Sequence, residues 1–127
     1  MLARRLIRIA IAYFAIGISL GMFMGIQQDF RLAHVHSHLN LLGWVALALI
    51  GLAYRAFPVL ERGWLPQAHF WLHNLGLPLF MGGFALSVIG GTKHIAPIAI
   101  GSSLVALGVA LLTVHVLLAL RKPEIPV

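Results

Sequence analysis

Three histidines fall within five residues, in the stretch His34-Val-His36-Ser-His38-Leu-Asn40-Leu-Leu-Gly43-Trp44. Imidazole is the commonest metal-ligating side chain and titrates near neutrality. An apolar run long enough to cross a bilayer follows at once. Ionisable groups inside hydrocarbon are costly and concentrate at functional sites. At about 100° per residue, a helix through this stretch puts His34 and His38 on one face and turns His36 about 200° away from each. One helix thus offers imidazoles to two sites on opposite sides. Two imidazoles and Asn40 at membrane depth also leave several polar groups dry unless a ligand or a hydrogen bond takes them.

What could these rings hold? A small ion such as copper or zinc needs three or four donors at about 2.0–2.1 Å from one centre, and His34, His38 and His94 form one candidate set. Haem needs fewer ligands: one or two axial histidines and an apolar slot between helices. Glycine-rich helices leave room for a flat ring, and Arg31 and Lys93 are placed to meet outward-facing propionates. Spacing leaves both ligand types open, with haem accounting for more of the residues. Cysteine is absent, which excludes disulfides, thiolate metal sites and iron–sulfur clusters. With three acidic residues in all, a carboxylate pair has no place in the membrane interior.

The elements that must position these rings follow from composition. Of the 127 residues, 61% are hydrophobic and 9% charged, and the mean hydropathy is +0.97. Soluble domains carry about a quarter charged residues, so the composition is that of an integral membrane protein. The expected fold is all-α, one domain of four transmembrane helices over about 6–26, 32–57, 66–90 and 97–120. The first is expected to be retained rather than cleaved, because no small-x-small cleavage site follows it. Gly17, Gly21 and Gly25 make a ridge in it that lets another helix approach closely, without saying which. Pro66 suits the first turn of the third helix, and Pro78 is expected to kink it.

The nine basic residues lie at the ends of the apolar runs and form no patch interleaved with aromatics, so nucleic acid is not an expected partner. Arg4, Arg5, Arg8, Arg55, Arg62, Arg121 and Lys122 fall at one end of such a bundle, and only Arg31 and Lys93 at the other. The positive-inside rule then places both termini in the cytoplasm, as in a multi-pass protein of the bacterial inner membrane. This sorts the histidines into an outer layer of His34, His36, His38 and His94 and an inner layer of His69, His73 and His115. Residues about 15 apart on a helix are separated by over 20 Å, so one metal centre cannot use both layers. His69 and His94, near helix boundaries, read as interfacial, and His115 reads similarly as structural. His73 reads equally well as structural or functional. His36 and His38 are the two that packing alone explains least.

The stretch His36-x-His38-x-Asn40-Leu-Leu-Gly43-Trp44, continued by Tyr54-Arg-Ala-Phe57-Pro58, resembles subunit I of the haem-copper oxidases and nitric oxide reductases. Phe70-Trp-Leu-His73-Asn74-Leu-Gly76-Leu-Pro78 is similar to later parts of the same group. In that family three four-helix arcs surround a pseudo-threefold axis, and one arc carries a His-x-His pair touching two haems from opposite faces. The resemblance implies haem b ligation by His36 and His38, with His34 as the substitute. It also implies a homotrimer in which adjacent second helices share each haem. The family's copper site is not matched, since the chain has no His-His pair, and no glutamate lies in an apolar run to deliver protons.

The reading that follows is a haem b membrane protein passing electrons through bis-histidine iron, with an electron-donor or acceptor protein or a quinone as partner and lipid around it. Whether it is an enzyme is left open. The alternatives are nitric oxide or oxygen binding or sensing at a haem, copper or zinc handling at His34, His38 and His94, and a structural subunit.

Overall fold

The computed structural model describes residues 1–121; Lys122, counted above among the basic residues, lies outside them. The described residues form helices joined by short turns, with no strand among them. We number the helices α1 (Leu2–Gln27), α2 (Ala33–Ala56), α3 (Leu65–Gly90) and α4 (Ile95–Ala119). All four are long and apolar enough to cross a membrane. Helices suit that setting because they satisfy every backbone polar group within the segment.

Local chemistry sets the ends. The chain leaves α1 at Gln28, whose φ of 52° is left-handed, and its amide closes on the Met24 carbonyl. α2 stops before Pro58, which disfavours helical geometry in the residue ahead of it, and Phe57 is extended at φ −125°, ψ 83°. A single 3-10 turn, Pro58–Glu61, follows. α3 opens with Pro66 in its first turn and closes on Gly91 at φ 70°. It continues as one α-helix through Pro78. α1 begins four residues earlier than hydropathy suggested, because Ala3, Arg4 and Arg5 are all good helix formers. A feature with no counterpart in the sequence reading is that α2 is wound as a π-helix over Leu39–Ala46, directly after His38.

The helices pair as two hairpins. In the α1–α2 hairpin, glycine on one helix faces a side chain on the other. A Cβ at Gly17 would lie 2.6 Å from the Asn40 amide, and one at Gly21 would lie 2.7 Å from Cε1 of His36. Gly25 has open space beside it. The glycine ridge therefore packs on α2 through its first two members. In the α3–α4 hairpin, backbone meets backbone. A Cβ at Gly76 would lie 2.7 Å from the Gly101 carbonyl, and one at Gly101 would collide with the Phe80 amide nitrogen. Small residues at such crossings permit close van der Waals packing where no hydrophobic effect drives association.

One cluster of buried residues, including Leu2, Leu6, Leu47, Tyr54, Leu60 and Phe70, fills the end where α1 begins. A second, with Val35, Leu39, Leu77, Met81 and Val105, fills the other half. At the first end the Ala3 amide donates to Oε1 of Glu61 at 3.4 Å, and His115 of α4 reaches the carbonyl of Leu60 at 2.9 Å. Arg4, Arg5, Arg8, Arg55, Arg62 and Arg121 are all exposed at that end. Arg31 and Lys93 occupy the turns at the opposite end.

Candidate functional site

The histidine stretch occupies the first turns of α2, and its rings diverge as the helical spacing requires. His36 faces α1. Its Nδ1 lies 2.9 Å from the Gly17 carbonyl oxygen, and the ring rests against Gly21, whose missing side chain makes the space. Asn40, one turn on, fills the slot at Gly17 and donates from Nδ2 to the His36 carbonyl at 2.8 Å. The four-residue spacing of Gly17 and Gly21 thus matches that of Asn40 and His36. That match was visible in the sequence and would have paired the two helices. His34 and His38 face α3. Their rings stand edge-on to Phe84 and Phe80, with centroids 5.9 Å and 5.6 Å apart. Nδ1 of His38 sits 2.8 Å from the His34 carbonyl oxygen.

These contacts assign the ring protons. A carbonyl oxygen only accepts, so the short contacts call for a proton on Nδ1 of both His36 and His38, while the Asn40 amide nitrogen stands further off, 3.4 Å from the same His36 Nδ1. In the neutral ring, Nε2 then carries the lone pair. A histidine that ligates a metal through one nitrogen almost always donates the other ring N–H to such a partner, which fixes tautomer and orientation. Both rings are held in the state that a ligand requires. They also lie on opposite sides of α2, so one iron cannot take both from a single chain.

The remaining members of the expected site are placed less closely. Arg31 is already engaged: Nη2 lies 2.7 Å from Oδ2 of Asp29 and Nε lies 3.0 Å from Oδ1. The hydrogen bonds from Arg31 hold the Asp29 carboxyl below the usual carboxylate range. Arg31 also borders a small cleft of about 200 Å³ with Phe23, Met24 and Ile89. Lys93 is exposed in the α3–α4 turn and does not line that cleft. His94 is exposed as well, with its backbone amide donating to Oγ of Ser87 at 2.8 Å. Among the described residues no three histidine, aspartate or glutamate side chains gather as a metal set, so His34, His38 and His94 are not brought together.

At the end of the bundle where α1 begins, one histidine differs from expectation. His69 reads in the sequence as an interfacial residue, yet it is 0% exposed, and His73 is 1% exposed. The start of α3 is near the end of the bundle, where Phe70 (6% exposed) joins Leu60 (2% exposed) in one buried cluster. Nε2 of His73 donates to the Leu42 carbonyl at 3.0 Å, inside the π-wound stretch of α2. His115 of α4 bonds to the Leu60 carbonyl. Both latches run from the α3–α4 hairpin to the α1–α2 hairpin or the turn that leaves it. His69 makes no such bond. Both its ring nitrogens are buried without a partner, as are Nδ1 of His73 and the Tyr54 hydroxyl.

The difference between the two inner rings has a testable sign. His73→Leu leaves the Leu42 carbonyl without its donor, and an unsatisfied buried polar group costs about 1–3 kcal/mol. His69→Leu removes an imidazole that bonds to nothing and is expected to be neutral or stabilising. Thermal unfolding of the two variants in one detergent is the check. Equal midpoints would remove the latch assigned to His73.

Comparison with protein-family models, with curated proteins and with solved structures finds no match to this chain.

Proposed function

We propose that this chain is a haem b-binding, multi-pass membrane protein that transfers electrons through bis-histidine iron, with His36 and His38 as the axial ligands. The observation that carries the reading is the shared geometry: Nδ1 of each ring faces a backbone carbonyl oxygen, at 2.9 Å and 2.8 Å, which leaves Nε2 as the nitrogen free to ligate. The resemblance of His36-x-His38-x-Asn40-Leu-Leu-Gly43-Trp44 to haem-copper oxidase subunit I supports it. Haem supplies one-electron exchange between ferric and ferrous iron. The chain's part is to fix the ring planes. Gly17 orients His36, the His34 carbonyl orients His38, and Phe80 and Phe84 wall the α3 side. Arg31, once freed from Asp29, and Lys93 are the cations available to propionates.

Following the resemblance, we place each haem between copies of the chain, with His36 of one and His38 of the next, in a homotrimer. The excess of arginine at the end where α1 begins supports termini on the cytoplasmic side of a bacterial inner membrane. A small redox protein or a quinone is the expected electron partner.

The test is an absorption spectrum of detergent-purified protein before and after dithionite, with a haem count and carbon monoxide added. About one haem per chain, with reduced bands that carbon monoxide leaves in place, is expected for iron with both axial positions filled. A band shifted by carbon monoxide would instead indicate five-coordinate haem and gas binding. Colourless protein made with ample haem would remove the reading. Crosslinking the coloured protein should give trimers; monomers and dimers alone would refute the shared-haem arrangement.

A further inference from the structure

Between the two hairpins, α1 and α3 stand apart over Val35 and Leu39 of α2 and leave a groove of about 570 Å³. Neither His36 nor His38 lines it, so it is separate from the proposed haem ligands. Its size falls within the range of small-molecule sites, about 300–1,000 Å³. Ile16 on its rim is 54% exposed, at a depth where the surroundings of a membrane protein are hydrocarbon. The lining is apolar except for Asn74 and Tyr13.

Asn74 defines what the groove lacks. Its Nδ2 donates to the Phe70 carbonyl at 2.8 Å, which fixes the amide and leaves Oδ1 as the acceptor end. That Oδ1 is buried and has no partner. The residue four positions on is Pro78, also in the groove lining. Proline has no N–H, so the helix ladder offers the Asn74 carbonyl no donor from that position. Asn74 thus leaves one side-chain acceptor unpaired beside an apolar groove. The matching group is a hydroxyl. Met81 and Tyr13 also line the groove, and a thioether and a phenol ring both make favourable contacts with an aromatic ring.

We infer that this groove binds a phenol-headed molecule with an apolar tail, its hydroxyl donating to Asn74 and its tail lying along the α1–α3 gap. The inference does not depend on haem. A hydroxyl-free hydrocarbon chain is the competing occupant, and the two differ in a single donor.

The experiment is native mass spectrometry of the detergent-solubilised full chain titrated with 4-decylphenol and, separately, with 4-decylanisole, which has no donor. The phenol is expected to bind about tenfold more tightly than the anisole, the worth of one hydrogen bond to an otherwise unpaired group. Asn74→Leu should bring the phenol down to the anisole's level without changing the anisole. Gly82→Leu should weaken both, since a Cβ at Gly82 meets no atom within 4 Å and the added side chain enters the groove. Equal binding of phenol and anisole to the unmodified protein, or binding of neither, overturns the inference. So does unchanged phenol binding in Asn74→Leu. Haem content in the same samples reports on the other site and is expected to stay constant across both variants.

Discussion

Alanine at His36 or at His38 is expected to strip the protein of haem, while alanine at His69 leaves haem content close to that of the unmodified protein. Outer-shell partners of a metal ligand are typically worth 10–100-fold in affinity, so loss of a ligand itself should lower haem per chain by about tenfold or more. The two losses should differ in their side effects. His36→Ala also leaves the Gly17 carbonyl unpaired and opens a void beside Gly21, so it should weaken the α1–α2 hairpin. His38→Ala frees a carbonyl within its own helix and loses the edge-on contact with Phe80. Gly21→Ala probes the same ring without touching it, because the new Cβ would lie 2.7 Å from Cε1 of His36 and must displace it. The measurement is a pyridine haemochrome count on each variant, normalised to protein. Equal haem in the His36, His38 and His69 variants would sink the ligand assignment and leave the bundle's histidines as packing groups.

Gly101→Ala is expected to be the most damaging single methyl in the α3–α4 hairpin. At Gly101 the neighbours are backbone: the Phe80 amide nitrogen, the Phe80 Cα at 2.8 Å and the Gly76 carbonyl at 2.7 Å. A side chain in the way can rotate, but a backbone can yield only if the two helices separate. Overpacking costs about 1–3 kcal/mol where side chains give way, and this contact lies at or above the top of that range. A fall of at least about 5 °C in the unfolding midpoint should follow. Gly82→Ala supplies the contrast, since nothing lies within 4 Å of its Cβ. There the gain in helix propensity, about 0.5–1 kcal/mol, should stand alone. A Gly101→Ala protein that melts with the unmodified chain would mean that the two helices do not cross where the glycines place them.

Much of this arrangement was legible from local pattern. Runs of apolar residues about 20–25 long gave the four helices, because a span's length is fixed by the thickness it must cross. Pro58, Pro66 and Gly91 marked boundaries, because their backbone limits act on the residue itself and its neighbours. Among the described residues, the separation of six arginines from Arg31 and Lys93 followed once the helices alternated in direction. The opposite facing of His36 and His38 needed only the helical repeat. Each of these is a property of sequence spacing within one element.

What the tertiary structure alone decided concerns pairs of elements. The glycine ridge of α1 predicted a close neighbour but not that His36 and Asn40 occupy it, since any helix with a matched spacing would serve. His69 and His94 looked alike by distance from a helix end, yet one is sealed and the other exposed, because burial depends on which neighbouring elements pack there. Two bonds accompany the π-winding of α2: the Asn40 side chain on the His36 carbonyl and, across the bundle, His73 on the Leu42 carbonyl. Nor could the sequence show a groove beside Asn74, because a void is defined by three helices at once. Sequence fixed the rings' directions along α2 through the geometry of one helix, and packing between helices determined what each ring meets there.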